Sequence, residues 1–189
     1  MGCRPLSRIV GVAGLYCAGK SLAAEILRSR GYEEIDVDSL GHYARERMAR
    51  EVEEAFGTTD RRELGRIVFS DAEQLRRLEA IVHPWMIDEV GRRVDSLRRE
   101  GKDGVINAAL LFPMGLHSFC DKVLWITASL PVRFLRARRR DSLTPCGFIR
   151  RLRSQRKLYP QKVGENVDIS RVANNGNRRR FERRILDLL

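Results

Sequence analysis

Arg8-Ile-Val-Gly-Val-Ala-Gly14-Leu15-Tyr16-Cys17-Ala18-Gly19-Lys20-Ser21-Leu22 is the stretch that decides the fold. A short apolar run leads into a loop of the form G-x-x-x-x-G-K-[ST], and helix-forming residues follow it. The chemistry behind the spacing is phosphate capture. Gly14 and Gly19 let the backbone turn tightly, so that successive N–H groups point at anionic oxygens. Lys20 carries a positive charge to the outer phosphates, and the Ser21 hydroxyl is a ligand for Mg2+. The helix that begins there directs its positive dipole end at the same anion. A Gly/Lys pattern this short also arises by chance; here the strand before it and the helix after it supply the required context.

Working outward, helix one is predicted over about 20–30, with Gly31 closing it. A second strand is predicted over 34–37, and it carries Asp36-Val-Asp38. Alternation places both carboxylates on one side of the backbone. Both fall at the carboxyl end of a strand, where open α/β sheets bind ligands. Phosphoryl transfer needs a group that orients or deprotonates the acceptor hydroxyl. Asp38 is assigned that role, and Asp36 is assigned to Mg2+ through water. The competing use of Asp38 is as a cap for a helix starting at Ser39.

A helical pattern then runs over 39–56, a short helix over 61–69, and a capping box at Ser70-Asp-Ala-Glu73 opens a helix to about His83. Pro84 is read as the first turn of another helix reaching 100. Nearly continuous apolar runs at 104–112 and 122–127 read as parallel strands covered on both faces. Helices are expected over about 131–140 and 145–158, a fifth strand over 169–173 and a closing helix over 178–189. The outcome is an α/β domain with a mostly parallel five-stranded sheet. Core segments are 1–38, 102–130 and 165–189, with a helical substrate subdomain over about 39–101 and a lid over about 131–164.

Arg133, Arg136 and Arg140 share one face of the helix over 131–140. A charge run is usually a solvated face. Beside a phosphate loop, Arg136 and Arg140 are instead read as lid arginines that supply charge to the transferring group. Trp85 and Trp125 read as core.

The chain has 189 residues, 43% of them hydrophobic, and a formal net charge of +11. That is enough for one folded domain with a subdomain. The charge admits nucleic acid or phosphate-rich small molecules. With no RNP pattern or zinc-finger spacing, the second is favoured and no specific nucleic acid is expected. Four scattered cysteines indicate neither a zinc site nor a disulfide framework. No apolar run approaches the length of a membrane span, and the N-terminus has no secretory pattern. A cytoplasmic, soluble protein, monomeric or weakly oligomeric, is expected.

Taken together, these motifs resemble the dephospho-CoA kinase family, which lies within the phosphate-loop kinases. The carriers are the loop 14–21, Ile35-Asp-Val-Asp38, Arg61-Arg-Glu-Leu-Gly-Arg-Ile-Val-Phe-Ser-Asp71 and Leu78-Glu-Ala-Ile-Val-His-Pro84. Further carriers are Ala109-Leu-Leu-Phe112, Asp121-Lys-Val-Leu124, the Arg136 to Asp141 block, Gln155 and Asn174-Asn-Gly176. The resemblance implies ATP-dependent phosphorylation of the ribose 3′-hydroxyl of dephospho-CoA, with ATP and Mg2+. It implies Asp38, Lys20 and Arg140 as catalytic residues. ATP contacts are implied at Gly14, Leu15, Tyr16, Cys17, Ala18, Gly19, Lys20, Ser21, Leu22, Arg136 and Asn175. Asp38, Arg61 and His83 are implied on the acceptor, with Ser21 and Asp36 toward the metal. By its own chemistry, a lone His such as His83 is more often structural.

The loop departs from the family's usual G-G-I-G-S-G-K-S-T at Leu15, Cys17 and Leu22. A β-carbon at 15 or 17 is costly if the backbone there has positive φ. Altered nucleotide affinity is expected rather than loss of activity. Two other functions fit the residues: a kinase for a nucleoside or another small hydroxyl substrate, and a basic nucleic-acid-binding protein with a vestigial loop. The residues around Arg61 and His83 discriminate the first, and salt-dependent oligonucleotide binding without ATP turnover discriminates the second.

Overall fold

The computed structural model describes residues 7–155 and 167–189. Five parallel strands form one sheet: β1 (Ile9–Gly14), β2 (Glu33–Asp36), β3 (Gly104–Asn107), β4 (Lys122–Thr127) and β5 (Asp168–Ala173). Their order is β2-β3-β1-β4-β5, so the phosphate-loop strand is central. Alternation along β1 feeds two cores. Ile9 and Ala13 face one side, with Val123 and Trp125 of β4. Val10 and Val12 face the other, with Leu124 and Ile126. All six residues of β1 are buried, which is why it reads as an unbroken apolar run.

Helices α1 (Lys20–Arg28) and α8 (Arg178–Leu186) cover the second face through Ile26, Leu27, Phe181 and Ile185. The first face carries α2 (Val37–Arg47), α3 (Ala49–Phe56), α4 (Arg61–Ser70) and α5 (Ala72–Glu100). Helices α6 (Leu130–Asp141) and α7 (Pro145–Ser154) form a third, smaller cluster. There Tyr16 of the loop packs with Ala137 and Phe148.

Several expected boundaries change, each for a physical reason. The apolar run 104–112 is a strand only to Asn107. The β1–β3 register ends at Val12↔Asn107, and the last ladder bond is Ala108 N–H to Val12 O at 3.2 Å. Beyond it, Ala108 and Leu111 are apolar because they are buried beneath the helices. Pro84 does not separate two helices; it lies inside α5. A helix-interior proline costs about 3 kcal/mol. Leu78, Val82, Met86, Val90, Val94 and Leu97 form a buried stripe on both sides of it, and that packing outweighs the cost.

The helix over 39–56 is two helices that meet at Met48, whose ψ of 24° interrupts the first. Asp71, not Ser70, caps α5, accepting from Glu73 N–H at 2.8 Å. The expected second strand ends one residue earlier, at Asp36, and Val37 already begins α2. Residues 156–158 of the expected helix over 145–158, residues 156–164 of the expected lid and Cys3 lie outside the described residues.

Candidate active site

The loop between β1 and α1 lies at the carboxyl end of the central strand. Gly19 is the N-cap of α1 with φ of 111°, and no side chain caps the first turn. Those first N–H groups therefore remain donors for an anion. A β-carbon on Gly19 would run into the Asn174 side chain, and one on Gly14 (φ 154°) would run into the Ile126 carbonyl. Both positions thus require glycine for space as well as for conformation. Of the two departures at 15 and 17, only Cys17 lies in the left-handed region, at φ 57°. That conformation costs an L-residue roughly 1–2 kcal/mol.

The surroundings hold the loop in this shape. Arg133 of α6 is buried and donates from Nε to the Tyr16 carbonyl at 2.8 Å. Arg136 donates to the Cys17 and Ala18 carbonyls at 3.4 and 3.1 Å. Its other terminal nitrogen donates to the backbone and side-chain oxygens of Asn174 at 3.0 and 3.2 Å. Asn174, itself buried, donates from Nδ2 to the Ala18 carbonyl at 2.9 Å. The Tyr16 N–H donates to Gln155 Oε1 at 2.7 Å.

Above this loop opens a cavity of about 410 Å³ lined by Leu15, Cys17, Gly19, Lys20, Ser21, Arg136, Arg139 and Arg140. Lys20 Nζ donates to the Gly14 carbonyl at 3.2 Å. Burial pushes its ammonium below the ordinary lysine range; the Asp38 charge opposes that shift and Arg140 adds to it. Ser21 is exposed at the second position of α1. Arg140 pairs with Asp141 at 3.1 Å and lies over the Tyr16 ring, 5.1 Å from its centroid.

A second cavity, about 290 Å³, lies between α2 and α5. Its lining includes Asp38, His42 and Arg45 from α2 and Leu78, His83 and Met86 from α5. Asp36 ends β2 and caps α2. Its carboxylate accepts from Asp38 N–H at 3.1 Å, Ser39 N–H at 3.3 Å and the Ser39 hydroxyl at 2.7 Å. The cap thus belongs to Asp36, and Asp38 stands in the first helical turn rather than on the strand. The shared strand side expected for the two carboxylates is replaced by a division: one orients the helix, and the other faces the cavity. His83 is half-buried, which lowers its pKa, with Glu79 opposing. At neutral pH the imidazole is uncharged, able both to donate and to accept.

Several expected site residues are brought together: Leu15, Cys17, Gly19, Lys20 and Ser21 with Arg136 and Arg140 around one cavity, Asp38 with His83 in the other. Two are not. Arg61 is exposed in the first turn of α4 and lines neither cavity, and exposed Asn175 accepts from Ser129 N–H at 2.7 Å. Sequence reasoning missed Asn174, Arg133 and the Tyr16–Asp141 pair. Arg133 had a usable signal, its shared helical face with Arg136 and Arg140; Asn174 had only its place in the Asn174-Asn-Gly176 motif, and nothing local marks its partner 156 residues away.

The site suits a phosphate-bearing nucleotide: a glycine cradle, uncapped helical N–H groups and a buried ammonium converge on one volume. Among the described residues no cluster of three or more His, Cys, Asp or Glu side chains holds a metal by itself. Ser21 and nucleotide oxygens are the donor set that fits Mg2+ here.

A dephospho-CoA kinase family model matches residues 8–175. A dephospho-CoA kinase of Moorella thermoacetica is 38% identical over 163 residues, covering 78% of this chain and 76% of that protein. One from Thermus thermophilus is 37% identical over 155 residues, covering 78% and 74%. A crystal structure of a Thermus thermophilus protein superposes with a TM-score of 0.80 at 31% identity, covering 96% and 95%. A shikimate kinase from Bacteroides thetaiotaomicron, 18% identical with a TM-score of 0.52 and coverage of 96% and 96%, shares the fold. With a family match spanning the loop, the Asp38 cavity and the arginine helix, the chain belongs to the dephospho-CoA kinase family.

Proposed function

We propose that this protein transfers the γ-phosphoryl group of ATP to the ribose 3′-hydroxyl of dephospho-CoA, yielding coenzyme A and ADP. The observation that carries the reading is the position of Asp38. It lines the cavity between α2 and α5, and its charge acts on Lys20 in the phosphate-loop cavity. An acceptor held beside α2 therefore meets a nucleotide held at the loop across this one carboxylate.

In this reading the uncapped N–H groups of α1 and the Lys20 ammonium fix the β- and γ-phosphates. Asp38 accepts a hydrogen bond from the acceptor hydroxyl and takes its proton as the new P–O bond forms. The bond from the γ-phosphorus to the β,γ-bridging oxygen breaks, and ADP leaves. Arg140 supplies charge to the transferring group. Mg2+, when bound, neutralises charge on the phosphate oxygens. Ser21 would hold it directly, and Asp36 would reach it through water. Three hydrogen bonds already occupy Asp36, which leaves it one of a carboxylate's roughly four lone-pair sites. His83 contacts the acceptor within its cavity. Arg61, as an acceptor contact, and Asn175, near the adenine, enter through the family resemblance. The helices over 39–101 act as the acceptor subdomain and residues 131–164 as the lid. The protein works in the cytoplasm as a monomer or weak oligomer without specific nucleic acid.

The test is ADP release with ATP, Mg2+ and dephospho-CoA, compared with adenosine and nucleoside monophosphates as acceptors. Turnover confined to dephospho-CoA is expected. Turnover on another acceptor without turnover on dephospho-CoA overturns the assignment.

A further inference from the structure

Tyr16 occupies the third position of the phosphate loop, yet it points away from the phosphates into the cluster of α6 and α7. Its ring is buried against Ala137 and Phe148. Its hydroxyl donates to Asp141. Two guanidinium groups lie over the ring, Arg140 at 5.1 Å and Arg151 at 4.8 Å from the centroid. Arg140 is held in turn by Asp141, with Nε and Nη2 each within 3.2 Å of the carboxylate. Tyr16, Asp141 and Arg140 thus close a ring of contacts, and Arg140 also lines the phosphate-loop cavity. Both backbone polar groups of Tyr16 are engaged as well, by Gln155 beyond α7 and Arg133 of α6.

Arg140 is otherwise an exposed side chain near the end of its helix. A long arginine in that place samples many rotamers, and ordering it opposes any contact it makes. The face of the Tyr16 ring and the Asp141 carboxylate remove most of that freedom before a ligand arrives. Tyr16 itself is part of the loop backbone next to Cys17, whose left-handed conformation must persist for the loop N–H groups to converge.

We propose that Tyr16 is a positioning residue: with Asp141 it latches the phosphate loop to α6 and α7 and holds Arg140 over the transferring phosphoryl group. This rests on the phosphoryl-transfer reading above for the meaning of kcat, though not on the identity of the acceptor. The latch makes the loop and the arginine helix one unit, so an arginine on a separate element keeps a fixed relation to the phosphates.

The experiment compares wild type, Tyr16→Phe, Asp141→Asn, the double variant and Tyr16→Ile. It reads kcat and KM with dephospho-CoA, slow ATP hydrolysis without acceptor, ADP affinity and Tm. The hydroxyl acts on the reaction only through Arg140, so Tyr16→Phe lowers kcat about fivefold, less than the full worth of a hydrogen bond to a carboxylate. The double variant is no worse than Asp141→Asn within twofold, because both changes cut the same contact. Tyr16→Ile, which also removes the ring beneath both guanidinium groups, loses more than tenfold, so that Tyr16→Phe keeps at least twice the kcat of Tyr16→Ile. In Tyr16→Phe, Asp141→Asn and the double variant, which keep the buried ring, ADP affinity and the KM for dephospho-CoA stay within threefold.

Multiplying effects in the double variant overturn the latch. So does an ADP affinity or Tm that falls in step with kcat in Tyr16→Phe, which keeps the ring, since that marks a merely structural tyrosine. If wild type fails on dephospho-CoA while the same ordering appears in acceptor-free ATP hydrolysis, the acceptor assignment falls and the latch stands.

Discussion

Asn174→Ala tests how the phosphate loop is supported from beneath. The side chain is buried and makes two hydrogen bonds: Nδ2 to the Ala18 carbonyl at 2.9 Å, and Oδ1 from Arg136 at 3.2 Å. A neutral bond contributes about 1 kcal/mol and one to a charged group about 1.5–3 kcal/mol, so truncation costs roughly 3 kcal/mol. In a chain of this length each kcal/mol shifts Tm by about 2–4 °C, giving an expected fall of about 9 °C. The loop is not released altogether. Ala18 O keeps its Arg136 donor at 3.1 Å, and Arg136 keeps the Asn174 backbone oxygen at 3.0 Å. The KM for ATP should therefore rise several-fold while kcat changes less. Thermal unfolding by circular dichroism and ATP titration in the ADP-release assay measure both. Asn175→Ala, which removes one exposed contact to Ser129 N–H, is the comparison and should cost about 1 kcal/mol. An Asn174→Ala protein that melts within about 2 °C of wild type and binds ATP normally refutes the support role.

Asp38→Asn should lower kcat by about 10²–10⁴, as expected for loss of a general base, with the ATP dissociation constant nearly unchanged; a near-wild-type rate removes the assigned role. Gly19→Ala should abolish measurable ATP binding, because φ of 111° and the Asn174 side chain both exclude a β-carbon. Combining it with Asn174→Ala relieves only the collision, so calorimetric titration should show no recovery. His83→Ala should raise the KM for dephospho-CoA and leave that for ATP within twofold, since His83 lines only the cavity between α2 and α5. Burial pushes the Cys120 thiol from 9.0 up to about 12. The folded state then holds a proton that the unfolded state releases above pH 9.0, so stability is lost as pH rises from 9.0 toward 12. Urea unfolding should show the wild type losing up to about 1.4 kcal/mol per pH unit more than Cys120→Ala over this window.

What the sequence determined by itself was local. The loop 14–21, the five strands and their parallel arrangement were legible because they rest on glycine spacing, N–H direction and strand periodicity. Those properties are set within a few residues. Asp38 was legible as a candidate from its place at the carboxyl end of a strand, His83 through the family resemblance, and Arg133, Arg136 and Arg140 shared a face by helical period alone.

Tertiary structure decided the rest. Residues 108–112 were misread because apolar residues buried by packing look alike in a strand or a turn; the helices flanking Pro84 were read correctly, and only their fusion into one was missed. The neighbouring layer, rather than the local pattern, chooses between those states. The split of Asp36 from Asp38 depended on where β2 stops and α2 starts, a shift of one residue that gave the cap to Asp36 and left Asp38 facing the cavity. Arg136, read as a lid arginine, spends its guanidinium on loop carbonyls and Asn174 while its side chain still borders the nucleotide cavity. Above all, the loop departures carried no sign of their consequence. Leu15 needs no special backbone, whereas Cys17 sits at φ 57° in a frame built by Arg133, Arg136, Gln155 and Asn174. Those side chains lie more than a hundred residues away along the chain, and only the folded structure brings them to the loop.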